Sequence, residues 1–497
     1  MSFPRRRGTM MRIAAAATCS LFVLSACTVE DAATGDNAVK IALPFQPVAS
    51  LSPYSDDALL NTRMGIGEAL LQLDANGEPQ PELAKSWEVI DDKTVEFTLR
   101  DNVKFHDGTD LTPEAVVGAL EHAVKADSRP KGLGKSELTF TAEGDNKVKV
   151  VSADPDPILA QRFADSGAII LAEKAYEGAT PPLVGTGTGP FKLVELTDSE
   201  AKTEGFADYW DGKPALDAVT TVFIEDGAGR ANAVRAGEVS LAQAVPIAQL
   251  AELGDLTVES TPIPRAVLLH LNTKTGAFAD AGLRAKAAEA VKPESVVDNI
   301  YEGHASLAGG SLFSESADWA KSVESKNSLA GTKDAAGTKI RLATWTERPE
   351  LPEAASVLAE QLRGVGFDVE VVAQDYDSLE PALLNGEFDA VLASRNYQTG
   401  AADPVSYLSS DFSCEGSYNL SLYCNPEIDA AIEETSKISE TTKRYTSAAE
   451  IGAKVVADNA VIPVAHEYSL ITYNKLDGVS FDPFERKLIT KDTKISK

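Results

Sequence analysis

Between residues 339 and 393 the chain alternates two hydrophobic rhythms. KIRLATW, FDVEVVAQ and EFDAVLAS are runs of strand length, while LPEAASVLAEQLRGVG and YDSLEPALLNG between them carry apolar residues at helical spacing. Strand, helix, strand, helix, strand with such short connections predicts a βαβαβ unit, hence a parallel sheet covered by crossover helices. The fold class that follows is α/β.

Elements around this tract are readable from local chemistry. Val39 to Leu43 predicts a short strand that stops at Pro44 and opens into a loop carrying Phe45, Leu51 and Tyr54. Glu68 to Leu73 reads as the end of a helix, followed by turn residues Asp74-Ala75-Asn76-Gly77. Trp87 to Leu99 alternates apolar and polar residues about Asp91-Asp92-Lys93, a hairpin signature. Thr112-Pro113-Glu114 marks a helix start, and helix-rich tracts run from Ala281 to Ile300 and from Glu427 to Ala457.

At 497 residues the chain is too long for one hydrophobic core. Pro-punctuated segments at Thr261 to Pro264 and Val461 to Val464 bracket the βαβαβ tract. They predict one lobe, residues 263–468, inserted into another, residues 39–262, with residues 469–497 returning to the first. Two crossing segments would then form a hinge.

The first residues read as export machinery. Arg5, Arg6, Arg7 and Arg12 precede an apolar run from Ile13 to Leu24, too short to span a bilayer as a helix, and the pattern is that of a secretory signal peptide over residues 1–26. Leu24-Ser25-Ala26-Cys27 resembles the bacterial lipobox, which makes Cys27 the expected lipid anchor on the extracytoplasmic face of the cell membrane, and residues 27–38 an acidic tether. Lys and Arg number 46 against 75 Asp and Glu, a net charge of −29, which repels nucleic acid.

No constellation for catalysis stands out, so an enzyme ranks last. The five histidines show no metal-binding spacing, and His106 in its FHDG turn reads as a structural hydrogen bonder. Neither a metal nor a cofactor is expected. Gly185-Thr186-Gly187-Thr188-Gly189 runs straight into Pro190-Phe191 where a phosphate loop needs a helix, so it reads as a tight turn. Cys414 and Cys424 sit in a loop of an exported chain and are read as a disulfide, with buried thiols or a two-thiolate metal site as the alternatives.

Several ordered segments carry a family resemblance: PELAKSWEV, TVEFTLRDNVKFHDGTDLTPEAVVGALEHA, VGTGTGPFKLVE, DYWDGKPALDAV, LHLNTKTGAFADAGLRAKAAEAV, DPVSYLSSDF, SYNLSLYCNPEIDAAI and ADNAVIPV. Together they resemble solute-binding protein family 5, the dipeptide, oligopeptide and nickel group of ABC importers. The resemblance implies a two-lobed periplasmic-binding-protein-like fold (type II, cluster C), with an extra subdomain at about residues 73–184 of the first lobe. It also implies a monomer that closes on a solute and delivers it to a permease and ATPase.

The resemblance further implies where a ligand sits. The strand EFDAVLAS is followed by Arg395, Asn396 and Tyr397, beyond the carboxyl end where open α/β sheets bind ligands. Tyr397 occupies the aromatic position of the peptide-binding members, whereas the position of their amino-group anchor holds Gly400; either Asp403 or another acid substitutes, or the ligand has no free ammonium there. Arg395 is expected either to pair a ligand carboxylate or to form an internal ion pair. Asn419 near the cleft mouth, Phe45, Tyr54, His270, Asn272 and Thr188 complete the candidates. The expected ligand is a short peptide; a chelated metal such as nickel is the runner-up, and a sensor or chaperone lipoprotein is the reading of a different class.

Overall fold

The computed structural model describes residues 37–314, 316–321, 323–397 and 401–496. The signal segment, Cys27 and tether residues 27–36 lie outside these.

The predicted βαβαβ unit is present. Strands Thr338–Trp345, Phe367–Gln374 and Ala390–Asn396 alternate with helices Glu350–Gly364 and Tyr376–Leu384. Both pairings are parallel, with Thr338–Trp345 in the middle. Helix Glu350–Gly364 buries Leu351, Ala354, Ala355, Leu358, Ala359 and Leu362, one face at helical spacing, while Glu353, Glu360 and Arg363 face water.

Among the described residues these strands belong to one eleven-stranded mixed sheet that runs on through Thr257–Leu271, Val461–Tyr473, Leu241–Gln243, Ala38–Leu43, Ala218–Phe223, Glu200–Gly205 and Phe191–Leu196, with Ala305–Leu307 paired to the side on Val461–Tyr473. The two long strands Thr257–Leu271 and Val461–Tyr473 pair antiparallel along most of their length. The Thr261 to Pro264 segment, read as a boundary, is continuous strand; its register shifts between Pro262 and Ala266, where two prolines cannot donate to the ladder.

A separate antiparallel sheet holds the predicted hairpin, Ala84–Asp91 with Thr94–Leu99, beside Lys147–Ser152 and Leu138–Glu143. Helix Pro113–Lys125 packs on it, and Thr112 caps that helix by accepting from the Ala115 N–H. Phe97, Phe105, Phe140 and Phe163 fill the core between them.

One local reading is corrected. Residues 68–73 do not end a helix: the helix is Ala58–Arg63, it stops before Gly65 at φ +69, and Leu71–Leu73 is a strand paired with Pro79–Pro81. Asp74 Oδ1 accepts from the N–H groups of Asn76 and Glu78, so the turn chemistry that was read correctly closes a ribbon.

The Gly185–Gly189 segment is a turn that needs its glycines. A Cβ on Gly187 would lie 2.1 Å from the Ile66 carbonyl oxygen, and the Gly189 N–H donates to that same oxygen. His106 closes the turn from the other side, its ring Nε2 2.9 Å from the Gly189 carbonyl, as the structural reading expected.

Candidate ligand-binding cleft

A cavity of about 620 Å³ opens beyond the carboxyl ends of the strands. One wall is Pro44 and Phe45 after the first strand, Arg63, and residues Gln243 to Ile247; the facing wall carries Trp345, Arg348, Tyr376, Tyr301 and Glu467. Trp345 ends the strand Thr338–Trp345, so Arg348 lies just beyond its carboxyl end, and Pro349 leads into the helix that begins at Glu350.

Charge is arranged unevenly. Glu467, on the long strand Val461–Tyr473, accepts hydrogen bonds from Tyr301 OH (3.1 Å) and Ser394 Oγ (2.7 Å). Two guanidiniums stand farther off: Arg348 Nη1 at 3.6 Å and Arg265 Nε at 3.7 Å from Glu467 Oε2, beyond hydrogen-bonding reach. Burial, then the neighbouring Arg348, lowers Arg265 to about 10, which leaves it charged at neutral pH. Two cations therefore stand near a carboxylate already taken up by two hydroxyls, with Glu485 the other acid that acts on them.

A second network closes the floor. Arg63 Nη1 donates to Gln243 Oε1 at 2.9 Å, Gln243 Nε2 to Glu485 Oε1 at 3.0 Å, and Ser469 Oγ to the same oxygen at 2.7 Å. Burial pushes the Glu485 carboxyl up, but Arg63 and the Ser469 hydrogen bond outweigh it and hold the group below its ordinary range.

Of the ligand candidates read from the sequence, Phe45 lines this cavity, its side chain 61% exposed. Others are committed to internal partners. Arg395 forks onto the buried Asp411 and lies 3.8 Å over the Tyr418 ring, which is the internal ion pair rather than an open carboxylate anchor. Asp403 caps helix Pro404–Phe412 and pairs with the buried Arg444, so its charge is not held open for a ligand amino group. Tyr397 is buried, its hydroxyl accepting from the Ser314 N–H and its ring edge-on to Phe313.

Asn272 donates to the Gly386 and Phe388 carbonyls, Asn419 to those of Ser413 and Tyr423, and Tyr54 OH lies 2.9 Å from His122 Nδ1. Thr188 is fully buried, His270 is packed flat against Phe412, and Asn396 is half-buried at its strand end. Cys414 and Cys424 are joined in a disulfide.

Sequence reasoning missed Arg348, Arg265 and Glu467. The signal for Arg348 was available: the strand-end rule applied after Ala390–Asn396 applies equally after Thr338–Trp345, where Glu347-Arg348-Pro349 follows. No local signal marks Glu467, since a lone acid in an otherwise buried strand acquires meaning only from what the fold sets opposite it.

Residues 78–419 match the model for bacterial extracellular solute-binding proteins, family 5. The chain belongs to that family. A nickel-binding protein of Staphylococcus aureus is 26% identical over 452 residues, covering 87% of this chain and 88% of that one. A probable di/tripeptide-binding protein of Pseudomonas aeruginosa is 26% identical over 479 residues, covering 87% and 89%. Among solved structures, NikA from Brucella suis superposes with a TM-score of 0.81 at 20% identity, over 93% of this chain and all of that one.

This family 5 protein is thus a substrate-binding protein for ABC import with the two-lobed α/β fold of its relatives, not an enzyme. Among the described residues no helix is long and apolar enough to cross a membrane. A further cavity of about 460 Å³ lies apart from the cleft, lined by Glu68, Glu82, Tyr209 and Lys487 among others. There Glu68 accepts from Tyr209 OH at 2.7 Å and Trp210 Nε1 at 3.0 Å, and Lys487 Nζ donates to Glu82 at 2.7 Å.

Proposed function

We propose that the protein captures a short peptide in the 620 Å³ cavity and presents it to its permease. The supporting observation is the pair Arg348 and Arg265, each beyond hydrogen-bonding reach of Glu467, whose carboxylate already accepts from two hydroxyls. A ligand carboxylate would complete that arrangement as a charge-assisted contact, and the acids Glu347, Glu350 and Asp377 on the same wall offer places for an ammonium. Phe45, Trp345 and Tyr376 supply apolar surface for side chains. The P. aeruginosa relative carries a di/tripeptide-binding name, and a related dipeptide-binding protein of Pseudoalteromonas was solved with Met-Leu.

Chelated nickel is the second reading, favoured by the nickel-binding relatives and by the same two guanidiniums, which would take a chelator's carboxylate. Titration calorimetry with di- and tripeptides, and separately with nickel and histidine together, decides between them. Micromolar or tighter binding of peptides alone supports the first reading; binding of the nickel complex alone replaces it.

The wider reading keeps the same terms. Lobes at residues 39–262 and 263–468, a subdomain at about 73–184, a C-terminal return at 469–497, monomeric state and lipid anchoring through Cys27 at the outer face of the cell membrane form one consistent proposal. Radiolabelled palmitate incorporated by the wild type and absent from a Cys27→Ser variant would support the anchor; equal labelling of both would refute it.

A further inference from the structure

Gln161 stands on the single-turn helix Gln161–Ala164, two residues before Phe163, whose ring packs edge-on to Phe97 and Phe140 in the core of the four-stranded sheet. Its side chain leaves that core. Nε2 donates one hydrogen to the Ala401 carbonyl, at 2.6 Å, and the other to Tyr445 OH, at 2.7 Å. Tyr445, on helix Thr441–Ala457, belongs to a different core, its ring edge-on to Trp319, and its own hydroxyl proton goes to the Ala402 carbonyl at 3.1 Å. Gln161, Ala401 and Tyr445 are all nearly inaccessible to water.

The connection has a distinctive chemistry. Within each core, contacts are apolar and cost free energy to separate; between these two cores the contact is an amide and a phenol, groups that water can satisfy when they part. Such a contact closes and reopens at small cost. What it grips matters as well: Ala402 sits at φ +57, an uncommon conformation for a residue with a Cβ, and the next residue, Asp403, is held by Arg444, the neighbour of Tyr445. Gln161 and the helix bearing Arg444 and Tyr445 thus meet on one short stretch of backbone, residues 401–403, which follows the strand Ala390–Asn396.

We propose that Gln161 is a closure clasp: its amide joins the subdomain to the 401–403 backbone and Tyr445 when the two halves meet, and so sets how long a captured solute is held. This rests on the binding-protein reading but on no particular solute. Gln161 is a positioning residue, since it acts by holding the halves together.

The test is small-angle scattering of the ligand-free protein as wild type, Gln161→Ala, Gln161→Glu and Tyr445→Phe. The glutamate keeps the size of the side chain but cannot donate to Ala401, and the phenylalanine keeps the ring. A larger radius of gyration in both Gln161 variants, a smaller change in Tyr445→Phe, and unaltered circular dichroism are expected. Equal radii in wild type and variants overturn the proposal. With Met-Leu as probe, dissociation should be roughly tenfold faster in Gln161→Ala while association stays within about twofold; a slowed association with unchanged dissociation counts against the clasp. A wild type that ignores Met-Leu defeats the use of that peptide and leaves the scattering comparison to decide the clasp.

Discussion

Arg395 and Asp411 form a two-pronged pair, Nε to Oδ2 at 3.0 Å and Nη2 to Oδ1 at 3.1 Å, that ties strand Ala390–Asn396 to helix Pro404–Phe412. Asp411 is fully buried, and burial pushes its carboxyl up while Arg395 pulls it down. Removing one partner leaves the other charge in a poor environment. Asp411→Ala is therefore expected to lower stability by about 3 kcal/mol in urea unfolding, and Arg395→Met by at least as much, because it strands the fully buried carboxyl, whereas the guanidinium left by Asp411→Ala is 26% exposed and can reach water.

Arg348 behaves differently. Its nearest ionic partner, Glu467, is 3.6 Å away, and its side chain is 35% exposed, so little folding energy depends on it. Arg348→Gln should leave the unfolding midpoint nearly unchanged and weaken ligand binding about 10- to 100-fold, the scale of one charge-assisted contact of 1.5–3 kcal/mol. Calorimetry on the best-binding solute checks this, and an unchanged affinity would remove Arg348 from the site.

Glu68 makes stability depend on pH. Burial, then Glu82, raises its carboxyl from an ordinary 4.5 to about 7, against the pull of the Tyr209 and Trp210 hydrogen bonds. The folded state thus holds the proton more tightly than the unfolded one. Its contribution is complete below about 4.5 and is lost as pH rises through about 7. The difference in thermal midpoint between wild type and Glu68→Gln should shift in favour of the variant from pH 5 to pH 8; a constant difference would show that Glu68 titrates normally.

The Cys414–Cys424 bridge closes a loop of ten residues' separation that also contains Asn419 and the stacking partner Tyr418. In the chain-entropy model such a loop is worth about 2 to 3 kcal/mol. Reduction, or a Cys414→Ser/Cys424→Ser double variant, should lower the denaturant midpoint accordingly without changing the slope.

Much of this was legible in the chain. Strands and helices of 338–396 followed from periodicity, because each element buries a face whose spacing is written locally. Thr112 and the Asp74 turn were read from side chains that bond their own neighbours. The error at residues 68–73 arose where local propensity was overruled by a partner strand.

Sequence by itself determined the α/β class, the family, the cysteine pair and the electrostatic exclusion of nucleic acid, all properties of local pattern, ordered motifs or summed charge. Only the tertiary structure decided which polar residues are open to a ligand. Arg395, 16 residues from Asp411, and Asp403, 41 residues from Arg444, look free in the chain yet are paired in the fold. Arg348 and Glu467, unremarked in the sequence, are brought to 3.6 Å from each other on one wall of a cavity. The physical reason is that a charge is available for binding only when folding leaves it incompletely partnered, and that balance is struck between residues far apart in sequence.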